Sequence, residues 1–295
     1  MPARVVMYLK PASPGALPPP HTGPAVNAAV LAAVRDELSP EASAYLHDGP
    51  PSRPFAITPL LDERQRTPGR SSNTVRFEVG ILLDEIVGSM LAALGARDRW
   101  RFGSTDYTTA SVELVQAETY PDLLTTAPPA TSWAFGLVTP VSFATGRGDG
   151  ARRQRILPDP ERVFGTLAAR WRTWAPPDAP LPSDIDDAID DHLELVDMRL
   201  SAAECVVKIG APKRRGCVGF VRYDLAGPSG VAPLTHSAIG ALARFACYAG
   251  IGDRTASGMG YTVIDPDGGS GHKPPSATAP TRVSGAAQPR SDSRL

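Results

Sequence analysis

One segment near the end of the chain has a composition that suits binding of a negatively charged group. Residues 250–260 read Gly-Ile-Gly-Asp-Arg-Thr-Ala-Ser-Gly-Met-Gly, with four glycines around one basic and two hydroxyl side chains. Backbone without side chains can approach a phosphate closely and offer its N–H groups, while arginine and threonine add a charge and a hydroxyl. The predicted phosphate contacts are Gly250, Gly252, Arg254, Thr255, Gly258 and Gly260.

Glycine spacing alone also suits a tight turn from a helix into a strand, so both interpretations stay open at this point. A dinucleotide-binding fingerprint follows a strand and opens a helix, whereas the elements predicted around residues 250–260 come in the reverse order. The segment has no Gly-Lys-Ser/Thr triplet, which argues against a Walker nucleotide loop.

The histidines are the candidate carriers of protons, because imidazole titrates near neutrality. His47 is the first choice for a general base or acid, and His21, in a loop before the first helix, is its rival. His192 lies in an acidic run and His236 at the start of a helix, where surface or capping roles are expected, and His272 belongs to the C-terminal tail. No pair of histidines has metal-ligand spacing with a carboxylate or cysteine, so we expect no metal site and no cofactor.

A basic segment in the second half is a second candidate for contact with phosphates. It is predicted to form the turn 211–216 between two strands, and the alternative is an ordinary solvated hairpin turn. A weaker candidate is the arginine-rich run 147–155, which is also compatible with a mobile loop. The predicted phosphate contacts in the first segment are Lys208, Lys213, Arg214 and Arg215.

Composition bounds the class of protein. A chain of 295 residues with 42% hydrophobic and 21% charged residues is typical of a globular protein of one large or two ordinary domains. The formal net charge of −1 lacks the basic surplus of most nucleic-acid binders, but seven of the 31 acidic residues fall between positions 184 and 197. The remaining surface can therefore keep a local basic face.

Apolar stretches and cysteines indicate a cytoplasmic protein that does not enter a membrane. The apolar stretch 28–34 is far shorter than the roughly 20 residues that span a bilayer. The N-terminal ten residues lack a charged leader followed by a long apolar core, so no secretory signal is expected. Three widely spaced cysteines predict reduced thiols and no disulfide framework.

The elements that must position these residues repeat once along the chain. Each half reads strand–helix–strand–strand–helix–strand, which is the ferredoxin-like unit found in RNA-recognition folds. The fold class is therefore predicted as α+β, with two tandem ferredoxin-like (RRM-like) domains, each an antiparallel sheet with helices on one face. The predicted strands are 4–10, 74–82, 132–139, 197–209, 217–223 and 260–264, with 53–60 as a strand or extended segment and 99–118 as a long strand or a hairpin. The predicted helices are 24–38, 39–47, 84–94, 159–174 and 234–248.

Domain boundaries follow from the same pattern. We expect an N-terminal domain over residues 1–125 that carries the proton-transferring histidine, and a C-terminal domain over residues 126–265 that carries the glycine-rich loop. The Pro- and Asp-rich stretch 175–189 is predicted to be an exposed insertion. Residues 266–295 have almost no large apolar side chains and are predicted to be a disordered tail.

The chain resembles the CRISPR-associated repeat endoribonucleases in the order of its motifs. Residues 248–264 are similar to the C-terminal glycine-rich signature of that family, and Pro20-His21 with the helix after it resembles the family's N-terminal helix. Tyr45-Leu46-His47-Asp48 followed by residues 53–60 resembles its Leu-His…basic-x-Phe stretch. Residues 135–143, 158–171 and 216–220 resemble its Thr-Pro-x-x-Phe strand, the helix after it and the strand before the last helix.

The resemblance implies a metal-independent endoribonuclease that binds a CRISPR repeat and cuts precursor transcripts within each repeat to give guide RNAs. In that family the 2′-hydroxyl beside the scissile phosphate attacks it and leaves a 2′,3′-cyclic phosphate, which needs a base, an acid and a cation. His47 matches the family's catalytic histidine, and Arg53 occupies the place where relatives often carry a lysine. Relatives often have a tyrosine in the first helix, where residues 29–31 here have no ionisable group, so the acid for the leaving oxygen stays unassigned.

The implied partners are CRISPR repeat RNA, as precursor and as mature guide, and an interference complex is a candidate partner. A monomer and a homodimer are both compatible with the sequence. The alternative is a non-catalytic RNA-binding module of the same fold, which the missing tyrosine favours and the combination of His47 with Arg53 disfavours. The third hypothesis, a ferredoxin-like small-molecule binder, has no motif to support it.

Overall fold

The structure is a computed structural model that describes residues 1–13, 16, 18–48, 52–62, 74–126, 130–146, 152–208 and 210–264. The predicted disordered tail, residues 266–295, lies outside the described residues. The described part forms two sheet-and-helix units, each with its own hydrophobic core. The predicted boundaries near residues 125 and 265 stay predictions.

The first unit is built around one antiparallel sheet. Its spatial order is β2-β4-β1-β6-β5, with β3 also paired to β4, and α1 and α3 pack on one face. Counting the β5–β6 hairpin as the last strand, the sheet has the second, third, first and fourth strands side by side, which is the ferredoxin-like order. The elements are β1 (Ala3–Pro11), α1 (Gly23–Glu37), α2 (Pro40–Asp48), β2 (Phe55–Ile57), β3 (Leu61–Asp62), β4 (Val75–Ile81), α3 (Val87–Ala96), β5 (Arg99–Phe102) and β6 (Thr105–Ala117).

Alternation in β1 explains how this sheet divides its two faces. Val5, Met7 and Leu9 point into the core beneath α1 and are fully buried, because successive side chains of a strand point to opposite faces. Arg4 lies on the other face, opposite Gly80 of β4. One face of the sheet is therefore covered by its own helices, and the other is left for the second unit.

The second unit repeats the same order. Its antiparallel sheet runs β10-β11-β7-β12, with α5 and α7 contributing to its core and with the β8–β9 hairpin set apart. The elements are α4 (Tyr120–Thr125), β7 (Ser132–Val141), β8 (Phe143–Gly146), β9 (Arg152–Arg155), α5 (Pro160–Trp174), α6 (Ile185–His192), β10 (Leu193–Cys205), β11 (Arg214–Leu225), α7 (Pro233–Ala249) and β12 (Thr262–Ile264). The predicted tandem ferredoxin-like fold is confirmed.

Two local predictions were wrong. The stretch 175–189 is not an exposed insertion, because Ala179, Ile185 and Ile189 are buried and the Trp171 indole donates a hydrogen bond of 2.9 Å to the Ala179 carbonyl. The isoleucines, four residues apart, form the apolar side of α6, and the acidic composition around them concealed this. The predicted turn 211–216 was also misplaced, since β11 already begins at Arg214.

The second unit packs on the open face of the first sheet through α7 and through Tyr261, which follows the glycine-rich loop. A Cβ atom on Gly80 would lie 1.9 Å from the Tyr248 carbonyl oxygen, so the backbone of α7 contacts β4 without a side chain between them. The Tyr248 hydroxyl donates to Glu118 at 2.6 Å, and the Tyr261 hydroxyl donates to the buried Glu78 at 2.8 Å. These contacts fix the glycine-rich loop against the first unit.

The cysteines and the apolar helices agree with the bounds set by composition. Cys205, Cys217 and Cys247 are free thiols, and burial raises the pKa of Cys205 and of Cys217 to about 11. In the described part of the chain, no helix has the length and apolar character that a bilayer span requires.

Candidate functional site

The glycine-rich loop, residues 250–260, meets the first unit at the start of α1 and at β2. A Cβ atom on Gly23 would lie 2.1 Å from the Ser257 carbonyl oxygen, and one on Gly258 would lie 2.8 Å from the Gly23 Cα atom. The two backbones therefore touch directly at the first residue of α1. This contact brings the loop of the second unit close to the backbone of residues 21–23, which includes His21.

The glycines of the loop are required by contacts within the protein. Gly250, Gly252, Gly258 and Gly260 all have positive φ, between 68° and 88°. A Cβ atom on Gly252 would lie 2.4 Å from the Ser142 carbonyl oxygen, and one on Gly260 would lie 2.2 Å from that of Ile251. The tight-turn interpretation thus explains these four residues, and their contact with a phosphate stays a prediction.

Most of the loop's amides are already engaged. Ile251 donates to the Gly260 carbonyl at 2.9 Å, Asp253 to the Ser142 carbonyl at 2.8 Å, and Gly260 to the Pro140 carbonyl at 3.0 Å. Thr255 is buried and its hydroxyl accepts a hydrogen bond from Arg170. Among the residues predicted to contact phosphate in this loop, Arg254 is the exposed one.

Backbone conformation singles out two residues at this junction. Among the described residues, the non-glycine residues with positive φ are His21, at 57°, and Arg254, at 58°. A left-handed conformation costs a side-chain-bearing residue about 1–3 kcal/mol and persists where the surroundings enforce it, often at functional sites. Next to His21, the Thr22 hydroxyl accepts a hydrogen bond of 2.7 Å from the Leu60 amide, which ties the start of α1 to the end of the β2 segment.

His47 stands in the last turn of α2, with its side chain 58% exposed. Its Nδ1 atom lies 2.7 Å from Oδ1 of Asp48. An ionised carboxylate only accepts hydrogen bonds, so this contact places the hydrogen on Nδ1 and leaves Nε2 of the neutral ring as a proton acceptor. Asp48 can orient the imidazole in this way, a role that the sequence did not assign to it.

Arg53, which precedes β2, is affected by charges from both units. Burial lowers the pKa of its guanidinium, the nearby carboxylate of Asp48 raises it, and the charge of Arg254 lowers it. Its Nη1 atom is buried without a hydrogen-bond partner among the described residues. The charges of Asp48, which pairs with His47, and of Arg254 both act on Arg53, and we call His47, Asp48, Arg53 and Arg254 the junction cluster. The described contacts do not join His21 to His47 or Arg53.

Two guanidinium groups in the junction cluster are electrostatic neighbours across the boundary between the units. The charge of Arg254 opposes that of Asp48 in its effect on Arg53, and a bound anion would stabilise both guanidinium groups. The Nη1 atom of Arg53, which has no partner among the described residues, would also be stabilised by a bound anion, because a buried donor without an acceptor is costly. Arg53 and Arg254 are therefore the candidates in this cluster for binding an anion.

The basic hairpin, β10 and β11 with the turn between them, lies beside the glycine-rich loop. Arg214 is half-buried, and its Nη1 atom is 3.1 Å from Oδ2 of Asp253. Arg215 is exposed and pairs with Glu204 at 3.1 Å. Lys208 and Lys213 are exposed at the turn. Arg214 therefore links the hairpin to the loop, and the lysines supply accessible charge.

The β8–β9 hairpin completes this surface, although sequence reasoning ranked its arginines low. Gln154 of β9 donates to the Ser142 hydroxyl at 2.9 Å and also to the Arg215 carbonyl, and the Ser142 hydroxyl donates to Asp253 at 2.6 Å. These bonds place the exposed Arg155 of the same strand near the basic hairpin. Of the run 147–155, residues 147–151 lie outside the described residues.

Comparison with protein families gives one match. Residues 135–262, from β7 to β12, match the model of the CRISPR-associated endoribonuclease Cas6 family. No curated protein matches the sequence.

Solved structures are similar over most of the chain. A product complex of a Cas6 protein from Thermus thermophilus shares 25% sequence identity at a TM-score of 0.74, covering 90% of this chain and 100% of the other. A second Cas6 product complex shares 21% identity at 0.69, covering 90% and 99%. The product of a Cas6-related gene from Pyrococcus furiosus shares 15% sequence identity at a TM-score of 0.64, and the match covers 90% of this chain and 100% of the other. The second and third of these structures support the fold alone.

Proposed function

We propose that this chain is a member of the CRISPR-associated endoribonuclease Cas6 family that binds a CRISPR repeat RNA and cuts it once at the junction cluster. The family is one of RNA-cleaving enzymes, and a solved relative of 25% identity is a complex with product. The observation that carries the proposal is the buried Nη1 donor of Arg53, which has no hydrogen-bond partner among the described residues, together with the His47–Asp48 pair at 2.7 Å. The charges of Asp48 and Arg254 both act on this guanidinium.

The reaction is transesterification within the RNA. The 2′-hydroxyl attacks the adjacent phosphorus, the bond to the 5′-oxygen of the next nucleotide breaks, and the products are a 2′,3′-cyclic phosphate and a 5′-hydroxyl. Nε2 of His47 accepts the proton of the attacking hydroxyl, while Asp48 holds the ring through Nδ1. The imidazolium formed is stabilised by the same carboxylate.

Negative charge on the phosphorane is met by the two arginines. Arg53 offers the buried Nη1 donor that has no hydrogen-bond partner in the described part of the chain, and Arg254 offers an exposed guanidinium in an enforced backbone conformation. Hydrogen bonds to charge are stronger where water is excluded, so the half-buried Arg53 gains more than an exposed arginine would. Arginine stays protonated near neutrality, so neither residue serves as the acid for the leaving oxygen.

His21 is the candidate for that acid. It is exposed, it precedes α1, and its left-handed backbone is enforced next to the contact between Gly23 and the glycine-rich loop. Residues 29–31 of α1 offer no ionisable side chain, and Val30 and Leu31 point into the core.

A cleavage assay on a labelled hairpin repeat tests the proposal. Purified protein in EDTA is expected to cut the RNA once and to leave a 3′ end whose mass corresponds to a cyclic phosphate. General acid–base groups contribute about 10²–10⁴-fold to rate, so His47→Ala is expected to cut at least about 100-fold more slowly with a similar Kd.

His192→Ala is the matched control, because that ring lies in the second unit and contacts the Ala226 carbonyl. Full activity of His47→Ala would refute the assigned role of that imidazole. Tight binding without cleavage by the native protein would favour the non-catalytic RNA-binding module, and absence of binding would reject both functions.

A further inference from the structure

Arg170 of α5 reaches the glycine-rich loop from inside the second unit. Its Nη1 atom donates to the carbonyl of Ala249, the last residue of α7, and its Nη2 atom donates to the hydroxyl of Thr255. One guanidinium therefore joins α5 to both ends of the segment that turns from α7 into the loop. No other arginine among the described residues contacts both of these atoms.

The environment of this guanidinium shows that it is held inside the protein. Burial lowers the pKa of Arg170 to about 10, an effect partly offset by the carboxylate of Asp253. A partly desolvated cation is costly unless its donors are satisfied, and here two of them are. Arg170, which is half-buried, is therefore placed to organise the loop.

Both neighbours of Arg254 are fixed by the second unit. Before it, Asp253 accepts hydrogen bonds from the Ser142 hydroxyl at 2.6 Å and from Arg214 at 3.1 Å. After it, the Thr255 hydroxyl accepts from Arg170. The left-handed backbone of Arg254, at φ 58°, is thus enclosed between two anchored residues.

We infer that Arg170 is a positioning residue that sets the conformation of Arg254 before RNA binds. This inference rests on the proposed function for its consequence, because Arg254 is one of the two guanidinium groups assigned to the phosphate. Without the donor pair of Arg170, the loop would lose its anchor at Thr255, and Arg254 would have to be ordered at the moment of binding. Ordering a mobile group on binding weakens affinity, so a preset loop binds more tightly.

A double-mutant cycle tests this coupling. Arg170→Met keeps the length of the side chain and removes its donors, and it is expected to weaken binding of the hairpin repeat about 10-fold, close to the effect of Arg254→Ala. The two changes together are expected to cost little more than either alone, because both act through one guanidinium. Fully additive effects would overturn the inference.

Two further variants separate positioning from general loss of stability. Arg172→Met, on the same helix, removes an exposed arginine that pairs with Asp186 at 2.7 Å and is expected to bind RNA normally. Arg170→Lys can serve one acceptor but not both, and it is expected to restore part of the affinity. Equal losses in Arg170→Lys and Arg170→Met would contradict the need for a donor, and a loss in Arg172→Met would show that the effect is not specific to the loop.

Hydrogen exchange of the free protein gives a readout that does not depend on RNA. Amides of residues 250–260 are expected to exchange faster in Arg170→Met than in the native chain, while those of β1 and β4 keep their rates. Unchanged exchange in the loop would overturn the inference even if RNA binding fell. If the native protein did not bind the repeat, the proposed function would fail, and this exchange measurement would still decide the structural role of Arg170.

Discussion

The glycine-rich loop and the basic hairpin lie side by side in the second unit, yet they are held in opposite ways. Gly252 and Gly260 of the loop fit against protein carbonyls with no room for a side chain. Lys208 and Lys213 of the hairpin are exposed at a turn. The salt bridge between Arg214 and Asp253 is the direct link between the two segments.

This difference separates two ways of meeting a polyanion. A packed loop fixes one cation in one place, which suits a site where charge develops on a single phosphate. Exposed lysines adjust to the path of a backbone and release counterions when they bind, which gives affinity that depends on salt. Substitutions in the loop are therefore expected to lower stability or affinity, whereas substitutions in the hairpin are expected to lower the salt dependence of binding.

The largest effect is expected from filling the space at Gly252. Alanine there would need φ near 81° and would press its Cβ atom against the Ser142 carbonyl, so Gly252→Ala should lower the free energy of unfolding by about 2–5 kcal/mol. Chemical denaturation measures this. Gly165→Ala in α5 has open space around it and is the control, expected to be neutral or stabilising. Native stability of Gly252→Ala would mean that the loop is not packed as described.

A smaller loss is expected from removing the charge that the loop presents. Arg254→Ala should weaken binding of the repeat by about 10-fold to 100-fold, the value of a charge-assisted hydrogen bond, with little change in stability. Fluorescence anisotropy with labelled RNA measures the Kd. Arg101→Ala, which removes an exposed arginine of β5, serves as the control. Equal affinity of Arg254→Ala and the native chain would remove Arg254 from the site.

The smallest change at low salt is expected from the hairpin. Lys208→Ala combined with Lys213→Ala should reduce the slope of log K against log salt by about 1–2, since each phosphate contact contributes about 0.7–0.9. Titrations at several salt concentrations measure the slope. Arg99→Ala with Arg101→Ala removes two charges from β5 as a matched control. An unaltered slope in the lysine variant would show that the turn does not meet the RNA backbone.

The spacing of apolar residues predicted the tandem fold, because the buried side of each strand and helix can be recognised from residues close together in the sequence. The alternation in β1 and the apolar side of α1 are visible in the residues themselves. The misplaced turn before Arg214 has a different cause: arginines and glycine next to a strand look like turn residues until pairing with β10 is known. Composition alone does not show whether Arg214, Arg215 and Gly216 belong to the turn or to the start of β11.

The site was only partly predictable for a related reason. His47, Arg53 and the glycine-rich loop could be named from residue type and order, and their roles in a site stay predictions. Asp48 and Arg170 were missed, because their roles depend on partners that only the fold supplies. Arg170 and Thr255 are 85 positions apart, and nothing local to either residue indicates the other.

The direct backbone contact between Gly23 and Ser257 has a consequence for how the two halves of the protein depend on each other. With no side chain between them to absorb a displacement, a small sliding of α7 over the first sheet would be felt first at the neighbouring arginines. Under the proposed function, the rate of cleavage at the junction cluster would then depend on how closely the two units pack together. Under the proposed function, a molecule that separated the two units at the Tyr261–Glu78 contact would stop cleavage without competing for the RNA.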